Sequence, residues 1–92
     1  MKISVSAKAA GELDAALDYL EQHNPTAARS LRSALRRAIL SLREFPGRGR
    51  QGRAPGTREL LVRRVPYIVV YIFDEDTVFV LSVRHTRRGT AP

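Results

Sequence analysis

Tyr67-Ile68-Val69-Val70-Tyr71-Ile72-Phe73 decides the fold, because all seven residues are β-branched or aromatic and such a run suits a pleated strand. Alternate residues of a strand face opposite ways. Tyr67, Val69, Tyr71 and Phe73 therefore form one row, and Ile68, Val70 and Ile72 the other. Both rows are apolar, so the strand is expected at the centre of a sheet with both of its faces covered. Residues 59–65 and 78–84 on either side have the same β-forming character and complete a three-strand meander. Pro66 separates the first pair, and Asp74-Glu75-Asp76-Thr77 makes the tight connection in the second.

The sequence before the meander reads as helical. Leu13, Ala16, Leu17 and Leu20 fall at helical spacing behind Ser6, whose hydroxyl suits an N-cap, and Glu12, Asp14, Asp18 and Glu21 make the outer face acidic. This helix is expected to end near His23. Asn24-Pro25 then opens a second one, with a cap residue followed by proline where a missing amide costs nothing. Its apolar stripe runs through Ala28, Leu31, Leu35, Ala38, Ile39 and Leu42, and Pro46-Gly47 stops it. Lys2 to Val5 alternates polar and apolar and reads as a short first strand. The predicted order is β-α-α-β-β-β, an α+β domain spanning residues 1–92 with a helical hairpin on one face of a small twisted antiparallel sheet. The hairpin covers one row of the central strand. The other row is left either for a partner or for the loop over residues 46–58 to fold across.

That loop carries the chemistry. Arg48, Arg50, Arg53, Arg58, Arg63 and Arg64 stand against the single acid Glu59, a net charge of +5 over residues 46–64. Guanidinium groups on a glycine-rich backbone suit phosphate or carboxylate, because the planar fork pairs bidentately with either. A second basic group, Arg84, Arg87 and Arg88, ends the last strand beside His85, a residue type able to move protons near neutral pH. The whole chain of 92 residues has net charge +7, so an acidic partner is expected, either a nucleic acid or an acidic protein. There is no cysteine, hence no disulfide framework and no thiolate metal site. The two histidines and the scattered carboxylates give no metal-ligand spacing, and no phosphate-binding loop or serine elbow occurs. Neither a signal peptide nor a membrane span is legible at the N-terminus, so a soluble protein of the cytoplasm is expected.

Three segments resemble the ParE-like branch of the RelE/ParE toxin superfamily of type II toxin-antitoxin systems. They are Tyr19-Leu20 with Asn24-Pro25-Thr26-Ala27-Ala28, the run Gly49-Arg50-Gln51-Gly52-Arg53-Ala54-Pro55-Gly56-Thr57-Arg58-Glu59-Leu60, and Pro66-Tyr67-Ile68-Val69-Val70-Tyr71. The middle run follows the branch's Gly-Arg-x-Gly-Arg-x-Pro-Gly-Thr-Arg-Glu-Leu pattern. The resemblance implies a toxin that poisons DNA gyrase by stabilising its cleaved DNA complex, without a cofactor or catalysis of its own. It also implies a cognate acidic ParD-like antitoxin and a hetero-oligomer with it. Target contacts are then expected from Arg48, Arg50, Arg53, Arg58, His85, Arg87 and Arg88, and antitoxin contacts from the row Tyr67, Val69, Tyr71 and Phe73.

The alternative is the RelE-like activity, cleavage of mRNA on the ribosome, with His85, Arg87 and Arg88 as its catalytic groups. RelE-like nucleases place an arginine immediately after the tyrosine of the central strand, where this chain has Ile68. They also carry basic residues just past the last strand followed by a tyrosine near the C-terminus, where here Arg87 and Arg88 lead into Gly89-Thr90-Ala91-Pro92. The tryptophans of many ParE-like chains are absent too. A basic nucleic-acid-binding module or an inactive homologue is the remaining alternative, although the arginine loop lacks the interleaved aromatics that nucleic-acid stacking uses.

Overall fold

A computed structural model describes residues 1–87. The order is β1 (Lys2–Val5), α1 (Ala7–His23), α2 (Pro25–Ser41), a short 3-10 turn (Pro46–Arg48), β2 (Arg50–Gln51), β3 (Arg58–Val62), β4 (Tyr67–Phe73) and β5 (Thr77–His85). The five strands form one sheet in the order β1-β5-β4-β3-β2. The predicted meander is antiparallel throughout. The first strand joins it in parallel, with Val5 beside Val80, and the helical hairpin that follows carries the chain across the sheet to the opposite edge, where β2 lies. The sheet is therefore mixed, and the two-residue β2 extends its other edge antiparallel to β3.

The caps are where the sequence places them. Ser6 Oγ accepts from the Ala9 amide at 3.0 Å and opens α1. Asn24 serves both helices: its amide donates to Leu20 O at 2.6 Å, closing α1, while its Oδ1 accepts from the Ala27 amide at 3.1 Å, opening α2. One residue thus turns the chain and satisfies an end of each helix. The second helix stops earlier than its proline signal. Regular α-helix ends at Ser41, the next residues tighten into 3-10 geometry through Leu42 N–H to Ile39 O and Arg43 N–H to Leu40 O, and Phe45, the residue before the proline, leaves helical backbone altogether.

The meander's boundaries shift by a few residues. β3 runs from Arg58 to Val62 and not to 65, because Arg63, Arg64, Val65 and Pro66 make the turn that pairs Val62 with Tyr67. At the other turn Asp74 Oδ1 accepts from the Asp76 and Thr77 amides, both at 2.8 Å. Those two amides, Asp76 first, hold the Asp74 carboxyl below its ordinary range. Between Val70 and Tyr71 the partners jump from Ser82 to Val80, so Leu81 forms a bulge.

The bulk of the core lies between the hairpin and the sheet. Ala28, Leu31, Leu35 and Leu42 from α2 and its exit meet Leu60, Val69, Tyr71, Val78, Val80 and Val83. The row Tyr67, Val69, Tyr71 is thus the inner row. On the outer face Ile68 is 6% exposed and Val70 8%, although no helix among the described residues covers them. Their cover is an ion pair. Glu59 stands beside Val70 on one flank of β4 and Arg84 beside Ile68 on the other, and Arg84 Nη2 meets Glu59 Oε2 at 3.2 Å. An ion pair joining the strands on either side of β4 must cross above it. The sequence leaves a partner or the loop as possible covers; the cover here is this side-chain bridge, which the Arg53 amide and the Arg50 guanidinium of the loop steady.

Candidate functional site

The arginine loop is held by three side chains of the sheet. The Tyr71 hydroxyl, buried at the centre, donates to Pro46 O at 2.6 Å and accepts from the Gly49 amide at 2.9 Å. Gly49 lies so close that a Cβ there would fall 2.7 Å from Tyr71 Oη and 3.0 Å from Glu59 O, so only glycine fits. Arg58 Nη1 donates to Gly47 O at 3.1 Å and Gly49 O at 2.7 Å, while its guanidinium lies 5.9 Å from the centre of the Phe73 ring.

Glu59 is the third anchor. It is 5% exposed and accepts from the Arg53 amide at 3.2 Å, from Arg50 Nη2 at 3.4 Å and from Arg84 Nη2 at 3.2 Å. Burial alone would raise its carboxyl. The Arg53 amide, the Arg84 charge and the hydrogen bonds from Arg84 and Arg50 outweigh that effect and hold it below its ordinary range. The far end closes on itself, with Gly52 N–H to Thr57 O at 2.7 Å and Gly56 at φ 82° in the turn. What reads in sequence as a loose loop is a pinned two-strand hairpin.

This divides the predicted target contacts. Arg48, Arg50 and Arg53 are exposed on the hairpin, Arg48 resting on Ser41 Oγ. Arg58 is partly buried and braces the backbone, so its contribution is positional. Arg58→Ala is expected to lower stability by about 1 to 2 kcal/mol, since two carbonyls lose their donor. Arg53→Ala and Arg48→Ala should stay within roughly 0.5 kcal/mol, as exposed side chains usually do. Denaturant unfolding of the three variants checks the order, and equal losses would contradict it.

The second predicted group is elsewhere. Arg58 pairs with Tyr71 and His85 with Tyr67, so the two groups stand four residues apart along β4, about 13 Å at strand spacing. His85 lies edge-on to Tyr67 with ring centres 5.3 Å apart, and its Nδ1 accepts from the Arg87 amide at 3.1 Å. Arg84 links the two regions through Glu59. Its Nε is buried without a hydrogen-bond partner among the described residues. Arg88 lies outside the described residues.

The row assigned to an antitoxin needs correction. Val69 and Tyr71 are 0% exposed in the core beneath the hairpin, so a partner cannot reach them. Only its ends are accessible, Phe73 at the hairpin end and Tyr67 at the other. Tyr67 lines a cleft of about 840 Å³ between α1 and the end of β5. That cleft, the Tyr71 clamp and the Glu59 knot are absent from the sequence reading. A lone acid among six arginines was the available signal for the knot; the cleft had none.

The family model described as ParE toxin of type II toxin-antitoxin system, parDE, matches residues 3–89. The protein Y4kP of Sinorhizobium fredii is 34% identical over 87 residues, covering 95% of this chain and 90% of that protein. The toxin RelE2 of Caulobacter vibrioides is 37% identical over 81 residues, covering 88% and 90%. Among solved structures, the chromosomal ParDE toxin-antitoxin system from P. aeruginosa superposes with a TM-score of 0.79 at 25% identity, covering 92% of this chain and 95% of that one.

Proposed function

The chain belongs to the ParE toxin family of type II toxin-antitoxin systems, and from that membership we propose that it arrests growth by binding DNA gyrase and stabilising the enzyme's cleaved DNA complex. The observation that carries this reading is the outer face of β4. Where RelE-like nucleases keep an arginine, this chain has Ile68, buried under a Glu59–Arg84 pair whose charges are already matched. A phosphate approaching that face would meet a neutralised bridge. The exposed cations nearest to it lie instead on the pinned segment of the 3-10 turn and the β2–β3 hairpin, where Arg48, Arg50 and Arg53 are exposed for another surface to meet.

A poison of this kind needs no reaction of its own. It needs only to bind one state of its target more tightly than the other, and the population shifts by that difference. Preformed arginines lose little freedom on docking, which favours tight contact. The +7 charge raises the encounter rate with DNA-bound gyrase, whose surroundings are anionic.

The partner is an antitoxin with an acidic binding segment, a reading supported by the ParDE system whose fold this chain shares. The second reading, ribosome-dependent mRNA cleavage, is favoured by the name of the Caulobacter relative and by His85 and Arg87 standing together at the end of β5. Expression in a bacterial host tests both. The expected result is growth arrest with induction of the DNA-damage response and continued protein synthesis at early times, reversed by co-expressing the product of the adjacent antitoxin reading frame. An immediate stop in translation with no DNA-damage response would favour the second reading.

A further inference from the structure

β1 leaves the sheet at Val5, beside Val80, and Ser6 turns the chain into α1. β5 continues for five more residues to His85. Among the described residues no strand accompanies it on that side, and side chains serve the exposed backbone instead. Ser6 Oγ donates to Leu81 O at 3.0 Å, and Glu12 Oε1 accepts from the Val83 amide at 3.0 Å and from Ser82 Oγ at 2.9 Å. Between this edge and α1 lies the 840 Å³ cleft.

One wall is the α1 stripe Ala15, Ala16, Tyr19 and Leu20; the other is Tyr67, Val83 and His85. The two alanines leave room for a partner backbone to come close. Tyr19, 57% exposed, offers a large apolar face with its ring held against His23 at 4.3 Å. Lys8 and Arg87 give the lining its positive charge, since the charge of Arg84 is matched by Glu59. Its one carboxylate, Glu12, is committed to Ser82 and Val83. An apolar floor with a cationic rim matches an acidic peptide that carries apolar side chains. It matches a nucleic acid poorly, since phosphates gain nothing from alanine and leucine and would face Glu12.

We propose that the α1–β5 cleft seats an acidic, apolar-bearing segment of the cognate antitoxin, with Ala15, Ala16, Tyr19 and Tyr67 as the floor contacts and Lys8 and Arg87 on the rim. This rests on the reading of the chain as the toxin half of a pair. It replaces the buried β4 row as the antitoxin surface, keeping only the Tyr67 end.

The test is calorimetric titration of the purified product of the adjacent antitoxin reading frame into the wild-type chain and three variants. Lys8→Glu and Arg36→Glu change the net charge equally, so long-range attraction weakens alike in both, but Arg36 is exposed on the far helix. Ala15→Glu places a charge at an exposed position on the cleft wall. Lys8→Glu and Ala15→Glu are expected to weaken binding by at least about tenfold, and Arg36→Glu by less than about threefold, with melting temperatures unchanged. Binding that is intact in both cleft variants, or lost equally in all three, would overturn the cleft assignment while leaving the toxin reading in place. Absence of any complex with the wild-type chain would overturn both. A single-stranded RNA 12-mer that binds the wild-type chain, competes with the antitoxin and is lost on Ala15→Glu would reassign the cleft to nucleic acid.

Discussion

Tyr71→Ala is expected to remove about 4 kcal/mol of stability, the cost typical of deleting a buried aromatic ring. Tyr71 is the largest fully buried side chain of the described structure and sits where the hairpin of helices, the sheet and the arginine loop meet. Its removal opens a cavity that these three elements cannot all close into. It also strands the Gly49 amide and the Pro46 carbonyl, which lose their hydrogen-bond partner. A domain of this length holds roughly 5 to 14 kcal/mol in all, so the substitution removes about a third to four fifths of its stability. Tyr71→Phe separates the two causes. It keeps the ring and loses the clamp, and should cost about 1 to 3 kcal/mol. Denaturant unfolding with an unchanged slope measures both, and a Phe variant as unstable as the Ala variant would show that the clamp, not the ring, carries the core.

Glu59→Ala should be nearly as damaging, at about 3 to 5 kcal/mol, the cost of breaking a buried ion pair from one side. Its partner Arg84 has a side chain 22% exposed and a buried Nε without an acceptor among the described residues, so the unpaired guanidinium has little water to turn to. The Arg50 contact adds little, because that arginine is 71% exposed. The pH dependence has a definite sign. The folded-state pKa of Glu59 is lowered from its ordinary 4.5, so its contribution is full above that value and is lost as pH falls through the lowered folded value. The stability gap between the wild-type chain and Glu59→Gln is therefore expected to be wide at pH 7 and to narrow below about pH 4.5. A gap that persists unchanged to pH 3 would mean that the charge on Glu59 does not matter.

The elements were legible because their signals are local. Ser6 and Asn24-Pro25 mark helix starts that the backbone confirms, and the unbroken run Tyr67–Phe73 could only be a central strand. Two kinds of information were not local. The parallel placement of β1 depends on where the helical hairpin returns the chain, which no residue within Lys2–Val5 encodes. The row facing the helices depends on a choice between two apolar rows of almost equal character, and nothing in Ile68 and Val70 says that an ion pair would cover them while Ile72 of the same row stays exposed. The site suffered most from this. Six arginines in one stretch look alike in sequence, yet Arg58 points inward to two carbonyls while Arg48 and Arg53 point out. His85 and the loop arginines look like parts of one basic surface, and the sheet register sets them apart.

Membership of the ParE toxin family leaves one central claim to be decided by chemistry, that the exposed arginines of a pinned hairpin engage gyrase and that no bond is broken by this chain. The direct measurement is a supercoiling reaction with purified gyrase, relaxed plasmid and ATP, to which the purified chain is added with and without Arg48→Ala/Arg50→Ala/Arg53→Ala substitution. The account predicts that the wild-type chain inhibits supercoiling and leaves linear plasmid after protease treatment. It predicts that the triple variant, still folded, needs at least about tenfold more protein for the same effect. Supercoiling that proceeds unaffected, while the same preparation cleaves mRNA in a translating extract, would contradict it.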